Sequence, residues 1–447
     1  MAAKLTNELA GLPVGCNIRR CVHENEIYQF FIDLPRISPA CPSCRSTHCN
    51  IKTSDKEQVL RHIPINRQPS FLIFMKRRYI CVDCGTTFYA LPDWMSLGIR
   101  MTQSLYVSIV LDLMTDKSIH QIALDNGVTD SIIATQLKSL PVPTPNRLPE
   151  TLCIDEFKGD SGTWDSHARK YDREKIQTII VDGADHCVID VLPGKKADEV
   201  KTWVRQFSPQ QRQAVRYYCC DMHNGYVSVA KELLPNAHIC IDIFHVIEKL
   251  HDALDAIRCA EENQAKEEGD MERYLLFFRL RRTLTTDRLN AEAKWGSRKA
   301  YNEKRLDEAF AASPALQECY EMVQNFQAIL HEEKYEVRSL LLGNWINTYG
   351  SSQHEDISHA VRTVIRWKGY ILNAWRYGKS NGPAEGMNNN VKVKKRIAYG
   401  YHNFDMLRKR ILLRYGKIRL DQECVKVLWS SLGNKKSGRK QNLSAGC

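Results

Sequence analysis

Two cysteine pairs constrain this chain more than any other feature. Cys41-Pro-Ser-Cys44 and Cys81-Val-Asp-Cys84 are separated by 36 residues. A Cys-x-x-Cys turn sets two thiolates on one side of a tight loop, and two such turns supply the tetrahedral sulfur set that Zn²⁺ takes. The 16 cysteines, with no basic-then-apolar leader in MAAKLTNELAGLPVG, suit a reduced compartment, where paired spacings serve metal rather than disulfides. The stretch from Val59 to Ile80 is rich in β-formers and ends in FLIFMKRRYI, a strand leading into the second turn. This is the layout of a zinc ribbon with one structural Zn²⁺. His48, Cys49, Cys16, Cys21 and His23 are spare ligands. The bland alternative is chance spacing in a cysteine-rich chain.

The formal net charge of +11 suits a polyanionic partner, nucleic acid first; a soluble protein that happens to be basic would carry the same charge. No apolar run approaches the ~18 residues of a membrane span, and a cytoplasmic, nucleoid-associated protein is expected. Arg61, Arg67, Lys76, Arg77 and Arg78 make the ribbon basic, with Arg77 and Arg78 as phosphate contacts; a solvated face would look the same. Downstream, TQSLYVSIVLDLM has apolar residues at helical spacing. SIHQIALDNGVTDSIIATQLKSL then reads as two short helices around Asp125-Asn126-Gly127, capped by Ser118 and by Thr129 or Asp130. A helix-turn-helix is expected at 101–140, its second helix reading the groove through Thr129, Asp130, Ser131, Gln136 and Lys138. An ordinary αα-hairpin would share the pattern. PVPTPNRLP, residues 141–149 with four prolines, is a stiff linker.

Beyond it the composition changes. TLCIDEF is a short strand ending in Asp155-Glu156, and KIQTIIVDGADHCVIDVLPG is a hairpin turning at Asp182-Gly183. KADEVKTWVRQF is an amphipathic helix, VRYYCCD a strand ending at Asp221, and HICIDIFHV a strand running into a helix through Asp242 and His245. Three neighbouring strands followed by α/β alternation match a ribonuclease H-like fold. Its first and fourth strands lie side by side, so Asp155 and Asp221 would meet at one edge. Carboxylates held that close repel and need a hard cation such as Mg²⁺ between them. Alternation does not decide between Asp155 and Glu156, and a strand-end Asp is equally often a helix cap.

From His251 to about Tyr377 the pattern is helical throughout, with Trp295, Trp345, Trp367 and Trp375 read as packing residues. SNGPAEGMNNNVKVKKRIAYGY follows. Gly382 fits an N-cap, Pro383 the first helical position and Glu385 the third. Asn388 or Asn389, Lys392 and Arg396 share a face with Glu385. With Lys395, the residues Asn389, Lys392 and Arg396 would grip phosphates.

In this order, the two cysteine pairs, Asp155 in CIDEF, Asp221 in CCDMHNGY, DIFHV and Glu385 in SNGPAEGMNNNVK resemble the DDE transposases of bacterial insertion sequences. The nearest likeness is to the ISL-three group, which carries an N-terminal zinc ribbon. The likeness runs from about residue 40 to 420. It implies a multidomain α+β and α/β chain: ribbon at 1–100, helix-turn-helix at 101–140, linker at 141–149, and RNase H-like core at 150–250 and 378–430. A helical insertion at 251–377 interrupts the core, and 431–447 is a basic tail. It implies Asp155, Asp221 and Glu385 as the acidic triad, holding two Mg²⁺ or Mn²⁺ for cleavage and strand transfer at terminal inverted repeats. A homodimer or larger assembly on double-stranded DNA is expected. The rival readings are a zinc-dependent DNA-binding regulator that no longer cuts, and a nuclease or resolvase for branched DNA.

Overall fold

The computed structural model describes residues 11–13, 15–35, 37–96, 99–141, 145–159, 164–165, 170–171, 176–398, 403–417 and 420–434. The chain divides into two compact units: Met1–Thr144, Gly159–Lys175 and Asn390–Cys447 form the first, and Pro145–Lys158 with Ile176–Asn389 form the second.

In the first unit, β1 (Asn17–Glu24), β2 (Ile27–Asp33), β3 (Cys49–Ile65), β4 (Gln68–Cys81) and β5 (Thr87–Tyr89) make one sheet. Its order is β1-β2-β4-β3, with β5 on β4. Strand β3 turns into β4 at Asn66-Arg67, whose φ values of 50° and 64° are those of a two-residue hairpin turn matched to strand twist. Leu60, Leu72, Phe74, Phe30 and Ile32 pack beneath. Only the β4 half of this hairpin is legible in sequence, because β3 starts with exposed residues and shows no alternation there.

Three helices follow: α1 (Gln103–Leu113), α2 (Ile119–Asp125) and α3 (Asp130–Ser139). Thr102 and Ser118 cap the first two by accepting from Leu105 N and Gln121 N, and Thr129 stands at the third cap. Gly127 turns the chain at φ +60°, where an added Cβ would also meet Pro69 Cα at 3.2 Å. Leu105, Ile109, Ile122, Ala123, Ile133 and Leu137 are fully buried between the helices.

The C-terminal helices Phe404–Tyr415 and Gln422–Asn434 pack on α1, and the former also on α3. Trp429 lies against Tyr106, with ring centroids 5.2 Å apart, and donates to Asp93 O. Arg410 is fully buried and donates to the carbonyls of Leu113, Thr115 and Lys117. The C-terminal span assigned from sequence to the core, 378–430, therefore divides: residues from Asn390 on group with the N-terminal elements. Helix persists to Asn434; the rest of the expected tail lies outside the described residues.

The second unit is built on β6 (Thr151–Lys158), β7 (Ile176–Asp182), β8 (Cys187–Leu192), β9 (Tyr217–Cys220) and β10 (His238–Ile241). The order is β8-β7-β6-β9-β10. The β8-β7-β6 part is antiparallel, and β6-β9-β10 is parallel. Apolar runs such as CVIDVL and YYCC suit strands buried on both faces. Helices α4 (Ala197–Arg205) and α5 (Asn224–Leu233) pack together, and α6 (Ile243–Glu268) leads into the helical block. There α7 (Pro314–Leu330), α8 (Tyr335–Tyr349) and α9 (Glu355–Tyr377) are the long members. Trp345 and Trp367 are buried in this core, while Trp295 and Trp375 are partly buried against it. Leu148, within the span expected as a linker, is also in the core. Helix α10 (Gly382–Ile397) begins in the second unit, whose boundary falls after Asn389. No helix among the described residues is long and apolar enough to cross a membrane.

Candidate active site

The four cysteines of the two pairs converge. Their sulfurs all lie within 4.8 Å of one another, with Cys41–Cys84 and Cys44–Cys81 each at 3.5 Å. A tetrahedron with Zn–S bonds of about 2.3 Å has edges of ~3.8 Å, so the set fits a structural Zn²⁺. Each turn ends in a left-handed residue, Arg45 at φ 61° and Gly85 at φ 69°. Of the spare ligands, Cys49 lies beside Cys81 and donates to Ser46 O, whereas His48 pairs with Asp83, Cys16 is buried in the sheet's core, Cys21 is exposed and His23 stacks on Tyr28.

The acids meet for a reason of register. Ile154 of β6 is the parallel partner of Cys220 of β9, so Asp155 and Asp221 occupy the next position on adjacent strands. Burial, then the Asp221 charge, pushes the Asp155 carboxyl up to about 7. Glu156 is engaged elsewhere, accepting from Tyr226 Oη at 3.0 Å and pairing with Lys195 at 3.6 Å. The two acids, which alternation does not distinguish, thus make different contacts.

Asp221 Oδ1 lies 3.0 Å from His245 Nε2, and His245 Nδ1 lies 2.8 Å from Glu248. The hydrogen bond to Asp221 raises the imidazole to about 9, so it is a cation at neutral pH. Glu385 is raised by partial burial and by the charges of Asp242 and Asp221, and lowered by His245; it belongs to the same electrostatic cluster. Asp242 is buried and caps α6 by accepting from Phe244 N at 2.9 Å. The three carboxylates do not close to within 4.8 Å of one another. Among the described residues such groups are the four cysteines and Asp182, Asp185 and Cys187. In the latter, Asp182 accepts from Ala184 N and Asp185 N to shape the hairpin turn.

Two asparagines complete the site. Asn388 Nδ2 donates to Asp155 Oδ2 at 2.6 Å and Glu156 O at 3.1 Å. Asn381 Nδ2 donates to Asp221 Oδ1 at 3.1 Å and Ile154 O at 3.0 Å. Helix α10 starts at Gly382, with Asn381 O accepting from Ala384 N and Glu385 N. The cap is therefore Asn381, one residue before the expected Gly382, and Glu385 sits at the fourth helical position. Asn381, Ala384, Asn388, Val391 and Lys394 form the buried stripe, whereas Asn389, Lys392 and Arg396 are exposed. Sequence reasoning missed Asn381, and left Asn388 interchangeable with Asn389. The available signal was polar residues at the spacing of a buried face.

The remaining sequence-derived contacts fall into two groups. Thr129, Asp130, Ser131 and Lys138 are exposed on α3, Gln136 is half-buried there, and Lys395 is half-buried on α10. Arg78 is exposed and donates to Thr87. Arg77 instead spends its guanidinium on Pro35 O and Leu34 O, at 2.9 and 3.0 Å.

Comparison with known proteins bears on the whole arrangement. Residues 152–411 match a family described as transposase, of the ISL3 type, and residues 37–84 match the zinc-finger of transposases IS204/IS1001/IS1096/IS1165. The transposase for insertion sequence element IS1001 of Bordetella parapertussis is 24% identical over 369 residues, 80% of this chain and 84% of that protein. A Lactococcus lactis subsp. lactis protein described as an ATP-dependent protease is 35% identical over 111 residues, 25% of this chain and 34% of its own; so short a match carries no functional argument. With more than half its length matched and its cysteine quartet in place, the chain belongs to the ISL3 family of transposases.

Proposed function

We propose that this transposase cuts and joins DNA with Asp155, Asp221 and Glu385 as its acidic triad, in an RNase H-like core interrupted by the helical block. The observation that carries the reading is the ladder register that sets Asp155 beside Asp221. The strand order β8-β7-β6-β9-β10 supports the fold assignment. Oxygen-only donors, two of them crowded against burial and each other, suit a hard divalent cation. Two Mg²⁺ or Mn²⁺ ions held by these carboxylates would supply an activated water and charge to offset the leaving 3′ oxygen.

The chain's own groups do the positioning. Asp155 and Asp221 fix one edge of the site, and Glu385 adds the third carboxylate from the first turn of α10, where the helix dipole favours its charged form. No Ser or Tyr nucleophile is required, because water and then the freed 3′-OH attack phosphorus directly. The ribbon and a helix-turn-helix of α2 and α3 recognise transposon ends, with Thr129, Asp130, Ser131, Gln136 and Lys138 toward the groove. Arg78, Asn389, Lys392, Lys395 and Arg396 contact phosphates. The core ends near Asn389, and two copies pair the two ends. A regulator that no longer cuts would have no use for three acids kept against burial and mutual repulsion.

The test is cleavage of duplex DNA carrying the element's ends by Asp155→Ala, Asp221→Ala and Glu385→Ala. Each variant should bind ends and fail to cut. Full cleavage by any one removes that residue from the triad.

A further inference from the structure

Helix α10 is attached to both of the other acids, at points on either side of its own. Asn381 stands four residues before Glu385 and Asn388 three residues after it. Both asparagines are buried, at 0% and 4% exposure. Each divides its amide N–H₂ in the same way, one bond to a carboxylate and one to a backbone carbonyl of β6. For Asn381 these are Asp221 Oδ1 and Ile154 O; for Asn388 they are Asp155 Oδ2 and Glu156 O. The carbonyls acted on thus belong to the residues immediately before and after Asp155.

A plain packing role would not place amides here. A buried amide is costly unless its donors and acceptors are met, and Oδ1 of both Asn381 and Asn388 is buried without a partner. Leucine would fill the same stripe without that cost, as Ala384 and Val391 do between and beyond them. The cost is sustained where the N–H₂ groups orient acids.

We infer that Asn381 and Asn388 are positioning residues: two buried amides that lock the helix bearing Glu385 to Asp221 and Asp155, and so set the spacing of the three carboxylates. This rests on the triad reading above. Both amides act through the carboxylates and touch no DNA. Partners of this kind, hydrogen-bonded to metal-ligating carboxylates, typically change metal affinity or activity 10–100-fold when removed.

The experiment uses the full chain. Asn381→Ala and Asn388→Ala are compared with wild type for Mn²⁺ binding, followed by the loss of free-ion EPR signal, and for cleavage of end-bearing duplex. The expected result is a Mn²⁺ midpoint raised and a kcat lowered by about 10–100-fold, with KM for DNA unchanged. Wild-type midpoint and kcat in both variants would overturn the inference. If an alanine variant no longer binds end DNA, Asn381→Leu and Asn388→Leu decide on the same two readouts, since they keep the volume, lose the donor and add neither a charge nor a metal ligand. Asp155→Ala and Asp221→Ala run alongside. If they still bind Mn²⁺ and cut, the triad reading has failed. If they are inactive while the asparagine variants match wild type, only the present inference has.

Discussion

Asp221 lies beside Asp155 because the residues just before them, Cys220 and Ile154, are ladder partners in a parallel strand pair. The fold therefore carries a buried acid whose neighbour opposes its ionisation. Asp155 keeps its proton in the native state up to about 7, whereas an unfolded chain releases it near 4. Between those values the native state binds more protons, so stability falls as pH rises through the window. Asp155→Asn removes the charge and keeps the shape. The new amide oxygen can accept from Asn388 Nδ2 as Asp155 Oδ2 does, giving up the bond from Glu156 N. In Mg²⁺-free buffer at pH 8 the variant should be more stable than wild type by roughly 1–3 kcal/mol. Adding Mg²⁺ should raise the wild-type urea midpoint and leave that of the variant unmoved. Equal stability of the two without Mg²⁺ would show that Asp155 is not under this strain.

The zinc centre makes a sharper prediction about which cysteines matter. Cys81 belongs to the four-sulfur group, while Cys49, its ladder partner on β3, is turned to Ser46 O. Cys81→Ser should lose the one zinc per chain, and Cys49→Ser should retain it, by metal analysis of the purified protein. Retention by both variants would mean that another residue completes the site.

Legibility followed chemistry more than pattern. The cysteine pairs declared themselves because only sulfur at that spacing makes a metal turn. The short apolar runs before Asp155 and Asp221 read as strands, but β6 continues past Asp155 to Lys158, so only Asp221 stands at a strand end, and the meeting of the two depends on strand order. Glu156 differs from Asp155 in its contacts to Tyr226 and Lys195, which no local pattern displays. Asn381 carries no local signal because its partners are 227 and 160 positions away, beyond any local periodicity. The exposed half of β3 was invisible for the opposite reason: it buries too little to leave a hydrophobic signature. Arg77 shows the limit of composition, since a basic residue that holds a loop is indistinguishable in sequence from one that meets DNA.

Arg77 and Arg78 should separate cleanly by experiment. Arg77 bonds two carbonyls of the segment after β2, so Arg77→Ala leaves these acceptors short and should cost about 1–3 kcal/mol of stability. Its effect on the salt dependence of DNA binding should be nil. Arg78→Ala should leave stability nearly unchanged and flatten the plot of log K against log salt by about 0.9, the share of one phosphate contact. A flattened slope for Arg77→Ala with unchanged stability would reverse the two assignments.

Lys394 gives the chain a second pH dependence, opposite in sign to that of Asp155. It is 1% exposed and donates to Thr115 O at 2.7 Å and to Asp116 at 3.3 Å. Burial, then the charge of Arg410, lowers the ammonium to about 7. Asp116 opposes that shift, but it is shared with Arg414 and Tyr415. The unfolded chain holds this proton up to about 10.4. Between pH 7 and that value the unfolded state binds more protons, so the Lys394 contribution improves as pH rises; below pH 7 the full penalty applies. Lys394→Met has no proton to release. Urea midpoints of wild type and variant, measured from pH 6 to 9, should run parallel below 7. Above it they should diverge in favour of wild type, by at most about 1.4 kcal/mol per pH unit. Parallel curves across the whole range would mean that Lys394 stays charged in the fold, held by Asp116 and the Thr115 carbonyl against its burial.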